Sequence, residues 1–575
     1  MKKWIRRYWS ELLVFGAILG VLLITVAPDM TWVNTDSDGI HYTYAAKYLL
    51  PAHKTSAPLF LLLGHLFLKL PFGTEFWRFA MLSVLATTAS SILVYLIIKE
   101  TLLKKLTIKY NSERYAHLAK EGFLEQYQGY KAHKLYALIG ALVFGGSALV
   151  ISQSTIVESY ALVTMLGLGA YYFASKGNWL GCAIMLGAGG AVHHLIGTTL
   201  IVLFVAHKEL RQWKYIGIMS AFLLFYLYLP ITVAINKPLN MWGNQTLMSF
   251  LVDNASTAQM LIGALGIWEL PKRIFDAAGI LGISFGLAII PIGWTIFRKG
   301  QKQVWYKRPL LWLFVLPVIY YASDLAPQTY VYAMPAIGFG AVMVGVSLSE
   351  MRPYWKYVVL GCAVGLLVFN ANYFDIGRTL DPELSASKYY HEELSKVPDG
   401  GILIAQQGWE WAAVTPYNRN ENRNIVSVCQ DVLPSPIYQE QLRQWGVKFT
   451  YNVNDPRGVA TEDSTKSIIQ LNDNVWITET TTPETYGAKI IQANGNTELV
   501  RILPKNINTT EWKWRPSSPY GIITGSIEIR EWVNIVVSNY NVLTFVMLGA
   551  IGLVPCWIGH MALVRKKKWS LKRQS

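Results

Sequence analysis

The chain has 575 residues, of which 52% are hydrophobic and only 15% charged, with a formal net charge of +15. Soluble domains carry about a quarter of their residues as charges, so this composition excludes an ordinary soluble enzyme. The basic residues lie in short segments between apolar runs and not on a nucleic-acid module, which is the pattern of cytoplasmic loops in a polytopic helical membrane protein.

In chain order, "MKKWIRRYWSELLVFGAILGVLLITVAP" has a basic start and a long apolar run with no small-residue cleavage site. It predicts a retained first span near residues 11–28 with the N-terminus in the cytoplasm. The polar stretch "TDSDGIHYTYAAKYLLPAHKTSAPLF" then falls in a first exoplasmic loop, residues 29–75, where residues 57–73 read as a short apolar helix along the outer interface. Residues 76–98 return inward and deliver a lysine-rich cytoplasmic loop, 99–135. Further spans are predicted near 136–152 and 160–175.

The stretch "LGCAIMLGAGGAVHHLIGTTLIVLFVA", residues 180–206, is decided by charge. As a single span it would move every later basic loop outside, against the positive-inside rule. As two short helices turning at His193-His194 it leaves those loops inside. Each half, about 13 residues, reaches roughly 20 Å against a hydrocarbon thickness of about 30 Å, so the histidine pair is expected at the floor of a cavity open to the outside. Spans near 215–235, 273–297, 309–323, 330–348, 355–373 and 537–563 bring the expectation to about twelve membrane helices with both termini cytoplasmic.

The organisation expected is therefore a transmembrane core, 1–373, an exoplasmic domain, 374–536, and a last membrane helix with a basic tail, 537–575. In the exoplasmic domain "GGILIAQQ", "NIVSVCQ", "PSPIYQEQLRQWG" and "VKFTYNV" read as the strands and helices of a small α/β domain. The four cysteines, Cys182, Cys362, Cys429 and Cys556, are scattered, which gives neither a disulfide framework nor a metal cluster.

The unusual polar residues all fall on the outer side. They are Asp36, Asp38, His41 and His53, then Glu158, then His193 and His194, then Trp242 and Asn244 in "NKPLNMWGNQTLMSF", and finally "SDLAPQTYVY". Ionisable residues at membrane depth are costly and line water-filled pathways or active sites. An aspartate at such a place can take the proton of an acceptor hydroxyl while a sugar–phosphate bond breaks. Lys54, His53, His193 and His194 are the candidates for holding the leaving phosphate. The D-x-D spacing of Asp36 and Asp38 admits a bridging divalent metal, Mg or Mn, but is too short and common a pattern to establish one. A transporter or flippase is the reading from another class. It would place charges on broken helices at midplane, often with inverted repeats, and no repeat is found.

These motifs resemble the glycosyltransferase-C (GT-C) superfamily, and within it the bacterial and animal group that includes the plexin-type protein O-mannosyltransferase. The group's pattern is Asp-Ser-Gly-Glu, His-Pro-Pro-Gly-Tyr-Pro-Leu, Glu-Val-Tyr-Ala-Leu, a late His, and Asn/Ala-Trp-Gly-Asp followed by Thr-Leu. Here Asp36 and Ser37 take the first positions, His53, Pro58 and Leu59 the second, and Glu158, Tyr160, Ala161 and Leu162 the third. His194 takes the fourth, and Trp242, Gly243, Thr246 and Leu247 the last. Asp38-Gly39 stands where the family has Gly-Glu, and Lys54-Thr55 replaces its proline pair. The resemblance implies an inverting transferase that takes a sugar from a polyprenyl-phosphate donor to an exoplasmic protein, with Asp36 as general base and Asp38 close behind. Glu158, Tyr160, Trp242 and Asn244 would line the substrate. Modification of a glycan or of lipid A from the same donor is the neighbouring reading.

Overall fold

A computed structural model describes residues 2–30, 37–52, 57–110, 128–236, 270–297, 309–323, 329–373 and, with short gaps, 392–500. The helices are α1 (Lys2–Thr25), α2 (Ser37–Tyr48), α3 (Pro58–Phe67), α4 (Glu75–Tyr110), α5 (Gln128–Gly145), α6 (Ala148–Ser154), α7 (Tyr160–Ser175), α8 (Trp179–Gly190) and α9 (Ile196–Ala206). There follow α10 (Trp213–Ala221), α11 (Tyr228–Asn236), α12 (Leu270–Phe285), α13 (Ile289–Phe297), α14 (Pro309–Ser323), α15 (Met334–Leu348) and α16 (Trp355–Tyr373). Among the described residues six helical stretches are long and apolar enough to cross a membrane, and a bent pair makes a seventh. This is a polytopic helical membrane protein. The lysine-rich loop is described only at its ends, and the span expected at 537–563 lies outside the described residues.

Small residues set how closely the helices pack. α15 is buried along almost its whole length in the middle of the bundle. A β-carbon at Gly140 of α5 would lie 2.8 Å from the Ala341 carbonyl oxygen of α15 and 2.3 Å from Ile98 of α4. Gly338, Gly340 and Gly345 make comparable close approaches, as expected where lipid supplies no hydrophobic drive and dispersion has to hold helices together.

Two expected spans are not straight. The one predicted over 136–152 bends by 61° between α5 and α6. The break is Gly146-Ser147, where a β-carbon on Gly146 would meet the Leu367 backbone of α16 at 2.9 Å. A glycine–serine pair under a crossing backbone is a usual cause of a kink. The stretch 180–206 is two helices, as read from the charges. The Trp179 and His207 rings lie 5.1 Å apart, so the start of α8 and the end of α9 meet and the chain turns back between them.

Residues 402–500 hold a four-stranded sheet in the order β2 (Val426–Cys429), β1 (Ile402–Ala405), β3 (Val475–Glu479), β4 (Lys489–Gln492). β1 pairs in parallel with β2 and β3, and β3 pairs antiparallel with β4. Helices α17 (Pro436–Gln444) and α18 (Val459–Leu471) cover its core of Ile404, Val428, Tyr438, Leu442, Ile468 and Ile477. The described part of "VKFTYNV", residues 447–451, forms no strand; the third strand is instead "VWITE", which pairs with β1.

Candidate active site

Three ion pairs lace one end of the bundle. Lys99 reaches Glu11 at 2.9 Å, Lys176 reaches Glu100 at 2.6 Å, and Lys105 reaches Glu350 at 2.8 Å, joining α1, α4, α7 and the end of α15. Of the polar residues singled out from the sequence, the described ones, Asp38, Glu158, His193 and His194, lie at the opposite end, where α1 stops, α4 and α7 begin, and the α8–α9 hairpin turns. Three backbone and side-chain bonds draw these segments together. The Ala27 N–H donates to the Thr155 carbonyl at 2.8 Å, the Leu59 N–H to the Ala191 carbonyl at 3.0 Å, and the Tyr228 hydroxyl to the Leu50 carbonyl at 3.0 Å.

Asp38 stands in the first turn of α2, where a helix favours negative charge. Tyr42, one turn on, packs edge-to-face on Phe60 of α3 with ring centroids 5.1 Å apart. Burial pushes its hydroxyl well above the ordinary tyrosine range, and the carboxylates of Asp38 and Glu158 add to that rise. Those two carboxylates, 120 positions apart in sequence, therefore bear on one side chain.

Glu158 is 4% exposed. Its backbone is fixed by Ser83 of α4, whose hydroxyl donates to the Glu158 carbonyl at 2.9 Å and accepts its N–H at 3.3 Å. The carboxylate accepts the Ser159 N–H at 3.2 Å. A buried carboxylate held this way at the mouth of a helix is placed by design of the surrounding chain, not by exposure to water.

His193 is buried and His194 exposed. The Leu195 N–H donates to His193 Nδ1 at 3.1 Å, which places the ring proton on Nε2 and leaves that edge as a donor. The rings of Tyr160 and His193 lie 5.3 Å apart, His193 and Tyr332 5.7 Å, His194 and Tyr320 5.8 Å, and Tyr320 and Tyr332 5.4 Å. Five rings from α7, the hairpin turn, α14 and the turn before α15 thus form one wall.

The structure brings Asp38, Glu158, Tyr160, His193 and His194 to one end of the bundle. Asp36, His53, Lys54, Trp242 and Asn244 lie outside the described residues. The segment that carries His53 and Lys54 is bracketed by two non-glycine residues with left-handed backbone, Leu49 at φ 52° and Ala57 at φ 38°. Such strain concentrates at functional sites. Among the described residues no group of three or more His, Cys, Asp or Glu side chains is arranged to hold a metal ion.

Sequence reasoning did not single out Tyr42, Ser83, Tyr320 or Tyr332. Tyr332 does fall inside the flagged segment "SDLAPQTYVY", and Ser83 opens a run of buried hydroxyls, with Thr87, Thr88, Ser90 and Ser91, in an otherwise apolar helix.

Residues 38–214 match the family model of the N-terminal domain of the protein O-mannosyl-transferase TMEM260. That stretch contains Asp38, Glu158, Tyr160, His193 and His194. The helical bundle is that of a polytopic membrane protein, and the match covers the segment that carries these site residues. Residues 38–214 are thus similar to protein O-mannosyl-transferases, as the motifs implied. Among solved structures the chain is similar to the crystal structure of ArnT from Cupriavidus metallidurans bound to undecaprenyl phosphate. The identity is 11% and the TM-score 0.48, over 87% of this chain and 100% of that one. The same protein in the apo state gives 11% identity and a TM-score of 0.48, over 86% and 99%. That likeness is too loose to carry site residues across. No curated protein sequence matches the chain.

Proposed function

We propose that the protein moves a sugar, mannose or another hexose, with inversion from a polyprenyl-phosphate donor to a Ser or Thr of a protein on the exoplasmic face. The observation that supports this is the convergence of four motif segments, at Asp38, Leu59, Glu158 and His193, at one end of the bundle. Nothing in the sequence between them requires it.

In this reading the acceptor hydroxyl oxygen attacks the anomeric carbon while the bond from that carbon to the phosphate oxygen breaks. The hydroxyl proton passes to Asp36, with Asp38 next in line, and the electron pair leaves with the lipid phosphate. His193, through its Nε2–H, and His194, His53 and Lys54 stabilise the charge that develops on the phosphate. Glu158 and Tyr160, with Trp242 and Asn244, hold the sugar. A divalent ion across Asp36 and Asp38 is the cofactor option. We place the protein in a bacterial inner membrane in preference to an endoplasmic reticulum, with both termini cytoplasmic, about twelve membrane helices, a core over 1–373, an exoplasmic domain over 374–536 and a last helix and tail over 537–575.

The test is transfer from a panel of polyprenyl-phosphate sugars to exoplasmic protein and glycan acceptors, comparing the natural chain with Asp36→Asn and Asp38→Asn, each with and without chelator. The expected outcome is transfer to protein by the natural chain and none by Asp36→Asn, with donor binding retained. Transfer to glycan or lipid alone would replace the acceptor. Donor binding without transfer by any form would sink the enzyme reading in favour of transport.

A further inference from the structure

We infer that the α/β unit is a built-in brace for α2, with Asn420 and Arg419 as positioning residues for Asp38. The link to catalysis rests on the reading of Asp38 given above; the brace itself does not.

α2 has two opposite faces. At 3.6 residues per turn, residues 38, 42, 45 and 46 share one side and residues 40, 44, 47 and 48 the other. The first side enters the membrane-bundle core through Tyr42, Ala45 and Ala46. The second joins another core, where Ile40 and Tyr44 lie with Met30 and Phe76 of the bundle side against Leu394, Val397, Leu403, Val414, Tyr417 and Ile490 of the α/β unit. The short helix that carries Asp38 is therefore packed between the bundle and the sheet, and is held from both sides.

The polar rim of this second face is specific. The Tyr48 hydroxyl donates to Asn420 Oδ1 at 2.6 Å, and Lys47 Nζ donates to the same oxygen at 3.4 Å. The Arg419 guanidinium lies over the Tyr48 ring, 5.0 Å from its centroid. Lys47 also pairs with Glu75, the first residue of α4, at 2.9 Å. One asparagine oxygen thus connects the sheet unit, α2 and the start of α4. Because α2 is only 12 residues long, a rotation of its sheet-facing side moves Asp38 with it.

The experiment uses the full chain in lipid nanodiscs. Asn420 and Arg419 are exposed, so their replacement leaves both cores intact. Hydrogen–deuterium exchange is followed in α2 and, as an internal control, in α15. Asn420→Leu and Tyr48→Phe are each expected to raise exchange over 37–48 about tenfold, the scale of one good hydrogen bond, with α15 unchanged. The double variant should go no further, and Asn420→Asp, which keeps the acceptor oxygen, should restore protection. In transfer assays kcat should fall about tenfold in Asn420→Leu with the acceptor KM unchanged. Unchanged exchange over 37–48 would overturn the brace. So would a raised acceptor KM at unchanged kcat, since the unit would then be an acceptor-docking module. Absence of transfer by the natural chain would strike at the proposed function alone, because the exchange measurement reads the brace without it.

Discussion

At the scale of single residues, the chemistry rests on which atoms are already occupied. His193 Nδ1 accepts the Leu195 N–H and so holds the hairpin turn, while Nε2–H is the edge with a donor. Asparagine can put an amide oxygen where Nδ1 stood but cannot reach the Nε2 position. His193→Asn is therefore expected to keep the melting temperature close to that of the natural chain. If Nε2–H serves the leaving phosphate, transfer should fall by about 10²–10³, the usual loss when one preorganised donor is removed. Equal losses of stability and transfer would make His193 a structural residue. Glu158, His193 and His194 stand out in the sequence as ionisable groups in apolar stretches, and Asp38 as half of an acidic pair just past the first apolar run. Tyr42, Ser83 and Tyr332 do not, because tyrosine and serine are unremarkable in helices and acquire meaning only from what packs on them. The left-handed backbone at Leu49 and Ala57 was equally hidden, since neither residue type signals it.

At the scale of elements, hydropathy reports the length of an apolar run and charge reports the side of its ends. Together these identified the α8–α9 hairpin, whose halves are 12 and 11 residues long. They are blind to the axis within a run, so the bend at Gly146-Ser147 went unread, as did strand β3. Glycine at a helix crossing gives a direct check on the packing. Gly140→Ala would drive a β-carbon against the Ala341 carbonyl, which cannot rotate away, whereas a β-carbon at Gly16 on α1 meets nothing within 4 Å. The expected cost of Gly140→Ala is about 1–3 kcal/mol by thermal unfolding in detergent, with Gly16→Ala neutral or slightly stabilising.

The tie between α2 and α4 predicts a pH dependence of stability. Burial, the largest single effect, pulls the Lys47 ammonium down, but the hydrogen bond and charge of Glu75 together with Tyr48 outweigh it, so its pKa ends above the ordinary lysine value. A raised pKa means that the contribution is complete below the unfolded lysine value of about 10.5 and is lost only as pH climbs past the folded one. The difference in melting temperature between the natural chain and Lys47→Met should then be the same at pH 6 and pH 9. It should shrink only in strong alkali. A fall in transfer between pH 6 and 9 would on this account belong to the acid–base groups of the site and not to a loosened α2.

At the scale of the whole molecule, the two ends of the bundle differ in kind. One end is laced by Lys99–Glu11, Lys176–Glu100 and Lys105–Glu350, which join helices far apart in sequence. The other gathers Asp38, Glu158 and the histidine turn, and carries the α/β unit against α2. Basic residues prefer the cytoplasmic side, so the laced end is expected there and the site on the outer face. This orientation can be read with single reporters after Cys182, Cys362, Cys429 and Cys556 are replaced. Ser395 is exposed on the sheet side, and Arg352 is exposed just beyond the end of α15 on the laced side. Ser395→Cys is expected to react with a membrane-impermeant maleimide in intact cells, and Arg352→Cys only after permeabilisation. The reverse pattern would turn the molecule over and bring the donor's sugar to the cytoplasmic leaflet. It would leave the inner arrangement of Asp38, Glu158 and His193 intact but remove the reason for an exoplasmic acceptor.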